Sequence, residues 1–204
     1  MDRHEHWEQV YRTRQPTEVS WYAPHLSDSL RLIREAVPPD ASIIDVGGGA
    51  STLVDDLLEA GYRRITVLDL SETALQRSRS RLGESAAAVT WLQADVSAAT
   101  LPPAAYDLWH DRAVFHFLTS DDQRRRYVAQ ALKALKPGGF AIVGTFGPQG
   151  PEKCSGLQVS RYTPSELHGT FGEPFELLGS SIERHMTPWG SPQQFVYCYC
   201  RRAA

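Results

Sequence analysis

Short apolar runs alternate with helical spacings along this chain. Residues 41–46 read ASIIDV, a buried-strand run closed by Gly47-Gly48-Gly49. Thr52 then offers a helix N-cap with Asp55 three positions on, as in a capping box, while Leu53, Leu57 and Leu58 share a face and Gly61 stands where the helix stops. Residues 65–68 predict a second strand closed by Asp69, Ser71-Glu72 opens a helix running to Gly83, and residues 89–93 predict a third strand followed by Ala94-Asp95-Val96. The second half repeats this logic. Residues 106–110 read as a fourth strand, and Ser120 with Gln123 forms a capping box. Val128, Ala131, Leu132 and Leu135 then follow at the spacing of one buried helix face, and Lys136-Pro137-Gly138-Gly139 ends it. A fifth strand is predicted over 140–146, a Gly/Pro-rich loop over 147–156 and a short helix from Thr163 or Ser165. Two late strands, 175–184 and 195–201, are joined by a Pro-Trp-Gly-Ser-Pro turn. Strands alternating with helices predict a parallel sheet covered on both faces. The last two strands have no helix between them and must pair antiparallel.

Ahead of the first strand lie about 40 residues holding Trp7, Tyr11, Trp21 and Tyr22 and a helical segment near 26–36. Disordered tails are normally poor in aromatics, so residues 1 to about 24 are expected to form an ordered lid. The whole chain of 204 residues is expected to be one domain, an arm over 1–40 and a core over 41–204. The net charge of −3 argues against a nucleic-acid surface, and no apolar run is long enough to span a bilayer. The charged start, Met1-Asp2-Arg3-His4-Glu5-His6, does not read as a signal peptide. Three cysteines without a C-x-x-C pair read as a reducing, cytoplasmic compartment. His4 and His6 lack further ligands nearby, so no metal site is expected.

Candidate chemistry gathers at the strand ends. Ligands of open α/β sheets bind at the carboxyl ends of the strands, and glycines there let backbone approach a ligand closely. Asp45, Asp69 and Asp95 each close one of the first three strands. No Gly-Lys-Ser/Thr follows the glycines, so this is not a P-loop, and Thr52 occupies the third glycine of a dinucleotide fingerprint.

Together, Asp45-x-Gly47-x-Gly49, Val67-Leu68-Asp69, Ala94-Asp95-Val96, Tyr106-Asp107-Leu108 and Leu135-Lys136-Pro137-Gly138-Gly139 resemble the class I S-adenosylmethionine-dependent methyltransferases. The resemblance runs from about residue 41 to the end of the chain. It implies a doubly wound, Rossmann-like α/β fold with helices on both faces. The sheet it implies has seven strands in the order 3-2-1-4-5-7-6, with strand 7 antiparallel. It also implies S-adenosylmethionine as cofactor. Asp45, Gly47, Gly48 and Gly49 would face its methionine part, Asp69 with Leu70 the ribose, and Asp95 with Val96 the adenine. Ser51 stands where many members carry another glycine and is small enough to keep that role.

The leading His6-Trp7-x-x-x-Tyr11 is similar to small methyltransferases related to eukaryotic protein-lysine methyltransferases. There an Asp-Lys-Gly-Thr-x-Asp stretch follows the fourth strand. Here it reads Asp111-Arg112-Ala113-Val114-Phe115-His116, so the last acid is His116. That replacement favours a small-molecule acceptor over a lysine side chain. His110, Asp111 and His116 are the candidate catalytic residues, with His116 as base or orienting group on a connection over 111–119 that overhangs the site. His110 is also expected at the cofactor wall. Trp21 is expected to close over the cofactor. Trp7, Tyr11, Tyr22 and Arg112 are expected on the substrate side, with Cys154 reaching it from the loop over 147–162. The expected reaction is methyl transfer to a nucleophilic N, O or S atom. The rival readings are a protein-lysine methyltransferase, an NAD-dependent oxidoreductase and a non-catalytic cofactor-binding domain. Oligomeric state is left open.

Overall fold

A computed structural model describes residues 2–204. Its central sheet holds β1 (Ser42–Val46), β2 (Arg64–Asp69), β3 (Val89–Gln93), β4 (Tyr106–Arg112), β5 (Leu135–Phe146), β6 (Phe175–Met186) and β7 (Pro192–Arg202). The order is 3-2-1-4-5-7-6. The first five strands pair in parallel, and β7 runs antiparallel to both β5 and β6. This is the sheet that the resemblance implied.

Side chains of successive residues in a strand point to opposite faces, so a sheet covered twice needs apolar residues in unbroken runs. Ile44, Trp109 and Val143 enter one core with α5 (Asp121–Ala134) and α6 (Pro164–Phe171). Their neighbours Ile43, Leu108 and Ile142 enter the other, against α2 (Ser27–Ala36), α3 (Leu53–Glu59) and α4 (Glu72–Leu82). The caps at Ser71, Ser120 and Thr163 form as the spacing predicts, the last two as full capping boxes.

Four local readings are corrected. Thr52 heads α3 without capping it, because its hydroxyl donates to Ala23 O at 2.9 Å; Leu53 N–H donates instead to Ser51 Oγ. The buried face of α5 is wider than the expected stripe: Tyr127 and Ala134 are fully buried beside the expected Ala131, while Val128 and Leu132 are part-buried against the same core and Leu135 is buried at the start of β5. Tyr127 joins that face because its hydroxyl donates to Asp111 Oδ2 (2.6 Å) and accepts from Trp109 Nε1 (2.8 Å). The loop after β5 holds a two-residue hairpin, Lys153–Cys154 with Leu157–Gln158. Finally, β4 continues through Asp111 and Arg112, both buried, so the expected connection begins two residues later.

The arm is a helix, α1 (Arg3–Thr13), lying against α4. Glu8 explains the docking. Its carboxylate accepts from Thr73 N (3.2 Å) and Thr73 Oγ1 (2.5 Å) in the first turn of α4. A carboxylate there satisfies an orphan N–H and faces the positive end of the helix. Although burial pushes this acid up, the Thr73 hydrogen bonds hold it below its ordinary value. Glu8→Ala should therefore lower unfolding free energy by about 1–2 kcal/mol, the size of a lost cap, with Glu8→Gln recovering part of it. Urea denaturation measures the difference, and parent-like stability in Glu8→Ala would remove the docking role.

Candidate active site

The turn after β1 is built on Asp69. Its Oδ2 accepts from Gly49 N at 3.0 Å and its Oδ1 from Ser71 N at 2.8 Å, so one buried carboxyl joins the glycine turn to the start of α4. Burial is the largest influence on this acid and pushes it up to about 6 against those N–H donors. Gly47 has φ +71, and a Cβ there would stand 2.0 Å from Val114 Cγ2; the turn therefore needs glycine.

Above this turn lies a cleft. Asp69, Leu70, Asp95 and Val96 line it together with Arg3, Trp7, Phe117, Leu118 and Cys154. A second lobe is lined by Asp45, Gly48, Ser51, Tyr22 and His110. Tyr11, Trp21, Gly47 and Arg112 line both lobes and stand at their junction. Trp7 packs edge-on to Trp21 (5.7 Å between centroids) and to Phe117 (5.0 Å), giving the upper wall an aromatic lining. Ala113, next to Arg112, has φ 73, a left-handed conformation rare for a residue with a side chain. It turns the chain away from β4 at the cleft edge.

Asp45 has a divided carboxyl. Oδ1 lies 2.7 Å from His110 Nδ1, whereas buried Oδ2 has no hydrogen-bond partner. An orphan carboxylate oxygen at a lobe wall is an acceptor waiting for a ligand donor. His110 is fixed from its other side by Ser29 Oγ at 2.9 Å.

Most of the residues expected from sequence meet here. Trp7, Tyr11, Trp21, Tyr22, Asp45, Gly47, Gly48, Ser51, Asp69, Leu70, Asp95, Val96, His110, Arg112 and Cys154 all line one lobe or both. Gly49 lies just behind, donating to Asp69. Asp111 and His116 line neither lobe. Both oxygens of Asp111 accept from the Val114 and Phe115 N–H groups and the Tyr127 hydroxyl, and burial raises its pKa to about 6. His116 is fully buried in a short helical turn, Phe115–Phe117, stacked on Phe146 at 4.5 Å. Burial, then the Arg112 charge, lowers its pKa to about 3. The expected overhang over 111–119 is thus corrected: the turn Phe115–Phe117 packs inward around His116, and Arg112, Ala113, Val114, Phe117 and Leu118 are the residues of the stretch that reach the cleft. His116 sits in the core because its ring fills space between Phe117 and Phe146.

Sequence reasoning missed Arg3, Phe117 and Leu118 on the wall, and Ser29, Glu183, His185 and Tyr197 behind it. Phe117 was detectable as an apolar residue in a polar-bounded connection. The others carry no local signal.

Residues 43–139 match the family model described as a methyltransferase domain. The chain is 23% identical to the eEF1A lysine and N-terminal methyltransferase of Mus musculus over 141 residues, 66% of this chain and 20% of that protein. It thus spans about a fifth of that relative's length. Its fold is that of the structure solved for the conversion of a disulfide bond into a thioacetal group during echinomycin biosynthesis. The TM-score is 0.80 at 20% identity, over 99% of this chain and 93% of that one. It is also similar to the 1,6-didemethyltoxoflavin-N1-methyltransferase of Burkholderia thailandensis, solved with 1,6-didemethyltoxoflavin and S-adenosylhomocysteine bound. There the TM-score is 0.70 at 19% identity, over 98% and 84% of the two chains.

His116→Ala should act on stability. The loss of a buried ring leaves a cavity and strips Phe146 N–H of its acceptor, a combination expected to cost about 2–4 kcal/mol. Chemical denaturation reads this directly, and a variant as stable as the parent would contradict the packing role.

Proposed function

We propose that the chain is an S-adenosylmethionine-dependent methyltransferase whose acceptor is a small, largely apolar molecule. One observation carries the cofactor reading. The acids closing β1, β2 and β3 face two lobes that meet at Trp21 and Arg112, and Asp45 keeps a buried oxygen unpartnered. In this reading Asp45 Oδ2 accepts from the amino group of the methionine part. Asp69 accepts from the ribose hydroxyls, and Asp95 with Val96 borders the adenine. The glycine turn supplies close backbone approach. His110 is a positioning residue that holds Asp45.

The cofactor supplies a methyl group on a sulfonium. The chain's own contribution at the reacting end is alignment and exclusion of water. The rings of Trp7, Tyr11 and Trp21 flank the junction, where an aromatic face favours a cation. Neither the Tyr11 hydroxyl nor the Cys154 thiol is poised as a base. Burial is the main cause raising the Tyr11 hydroxyl well above its ordinary value, and it lifts the Cys154 thiol to about 11. His116 is walled off behind Phe117 and Phe146. The acceptor therefore brings its own lone pair, as a thiolate, phenolate or neutral amine does. The acceptor wall of Arg3, Trp7, Phe117, Leu118 and Cys154 offers no carboxylate to a lysine ammonium, which favours a small molecule over a protein side chain. The three cysteines are free and buried, in keeping with a cytoplasmic setting. Among the described residues no helix is long and apolar enough to cross a membrane.

Titration calorimetry tests the cofactor reading. S-adenosylhomocysteine should bind and NAD should not; the reverse would establish the oxidoreductase reading. Asp69→Ala should weaken binding by about 1.5–3 kcal/mol, the range for hydrogen bonds to a charged group. An unchanged dissociation constant would remove the ribose role.

The pH dependence has a definite sign. Ribose hydroxyls donate to the ionised carboxylate, and the protonated acid loses acceptor capacity. With the Asp69 pKa at about 6, affinity should be flat above that pH and fall below it, approaching about tenfold per unit. Affinity that rises on acidification would contradict an ionised Asp69 at the ribose. A screen of thiols, phenols and amines separates an enzyme from a cofactor-binding domain without turnover.

A further inference from the structure

We infer that Glu183 and His185, which line neither lobe, are positioning residues that latch the Ser20–Trp21 segment over the junction of the site. Two consecutive carbonyls of the arm are each held by a buried side chain. His185 Nε2 donates to Ser20 O at 2.7 Å, and Arg112 Nη1 donates to Trp21 O at 3.1 Å. These anchors come from β6 and β4 and lie 165 and 91 residues along the chain from the carbonyls they hold. The segment they hold is one hydrogen-bonded turn, Tyr22 N–H to Val19 O at 3.2 Å, just after the short helical turn Pro16–Glu18. Its Trp21 ring lines both lobes.

Glu183 sets the geometry of this grip. It takes Arg112 in a two-pronged pair, Nε at 3.2 Å and Nη2 at 3.0 Å, which leaves Nη1 aimed at the arm. The guanidinium lies 4.1 Å over the Phe195 ring, which restrains it further. Glu183 is itself fixed by the Tyr197 hydroxyl, donating at 3.0 Å. Ser29 Oγ lies within hydrogen-bond distance of both the Tyr197 hydroxyl (3.1 Å) and His110 Nε2 (2.9 Å). Asp45 completes the series at 2.7 Å from His110 Nδ1. A series of buried and part-buried hydrogen bonds thus runs from the orphan-bearing acid of one lobe to the Trp21 carbonyl at the junction. A bidentate Arg–carboxylate pair has a fixed plane, so loss of the carboxylate frees Arg112 to rotate and leaves a buried cation uncompensated. The effect on affinity rests on the cofactor reading above; the effect on Trp21 does not.

Fluorine NMR of the full chain labelled with 5-fluorotryptophan tests the latch. The chain has five tryptophans; Trp21 is assigned with Trp21→Phe, and buried Trp109, bonded to Tyr127, reports on the core. In ligand-free Glu183→Gln and His185→Ala, the Trp21 resonance should shift and broaden while Trp109 stays in place. Both variants should bind S-adenosylhomocysteine at least tenfold more weakly. His185→Gln, which keeps an N–H donor, should restore the parent pattern. A Trp21 resonance at the parent position in both variants would overturn the latch. If Glu183→Gln fails to fold, seen as a displaced Trp109 resonance, the His185 pair decides alone. A parent chain that binds no S-adenosylhomocysteine contradicts the cofactor reading, while Trp21 in the ligand-free variants still decides the latch.

Discussion

The site depends on one buried carboxyl. Asp69 ends β2, and its two oxygens take the N–H groups of Gly49 and Ser71. Those bonds set the distance between the turn after β1 and the first residue of α4. Ser71 in turn caps α4 by accepting from Ala74 N, and the N–H of Ala94, after β3, reaches the Asp69 carbonyl at 2.9 Å. Three strand ends are therefore indexed to one residue. A carboxyl so placed also carries the cost of burial, and its pKa of about 6 records that tension.

From this constraint the division of the cleft follows. The close approach of the glycine turn leaves room for a ligand across the carboxyl ends of the strands, where an open α/β sheet places its ligands. β4 adds the second constraint. By continuing through Arg112 it brings His110, Asp111 and Arg112 into the sheet in sequence, and the pleat sends them to different tasks. His110 and Arg112 turn toward the lobes, whereas Asp111 turns to the opposite core and holds the N–H groups of Val114 and Phe115. That second acid gives the following turn its inward path and so buries His116.

Much of the fold was legible because the parallel strands are buried on both faces. Such strands read as apolar runs, and residues 41–46 and 65–68 are examples. The caps at Ser71 and Ser120 were legible because they need only residues three positions apart. Thr52 has the same local signal and fails as a cap because Ala23, 29 residues earlier, offers its hydroxyl a carbonyl. The end of β4 was not legible, since His110, Asp111 and Arg112 are polar and their burial is satisfied by partners far away in the chain. The acids of the site were legible as strand-end residues. Glu183 and His185 were not, because a charged pair on a late strand looks like a solvated edge until the fold brings Arg112 and Ser20 to it.

The most direct test of the account is a crystal structure of the chain with S-adenosylhomocysteine. The account predicts one molecule spanning both lobes, its amino group on Asp45 Oδ2, its ribose hydroxyls on Asp69 and its adenine beside Asp95 and Val96, with Trp21 at the sulfur end. A molecule confined to one lobe, or one that leaves Asp45 Oδ2 and Asp69 untouched, would contradict it.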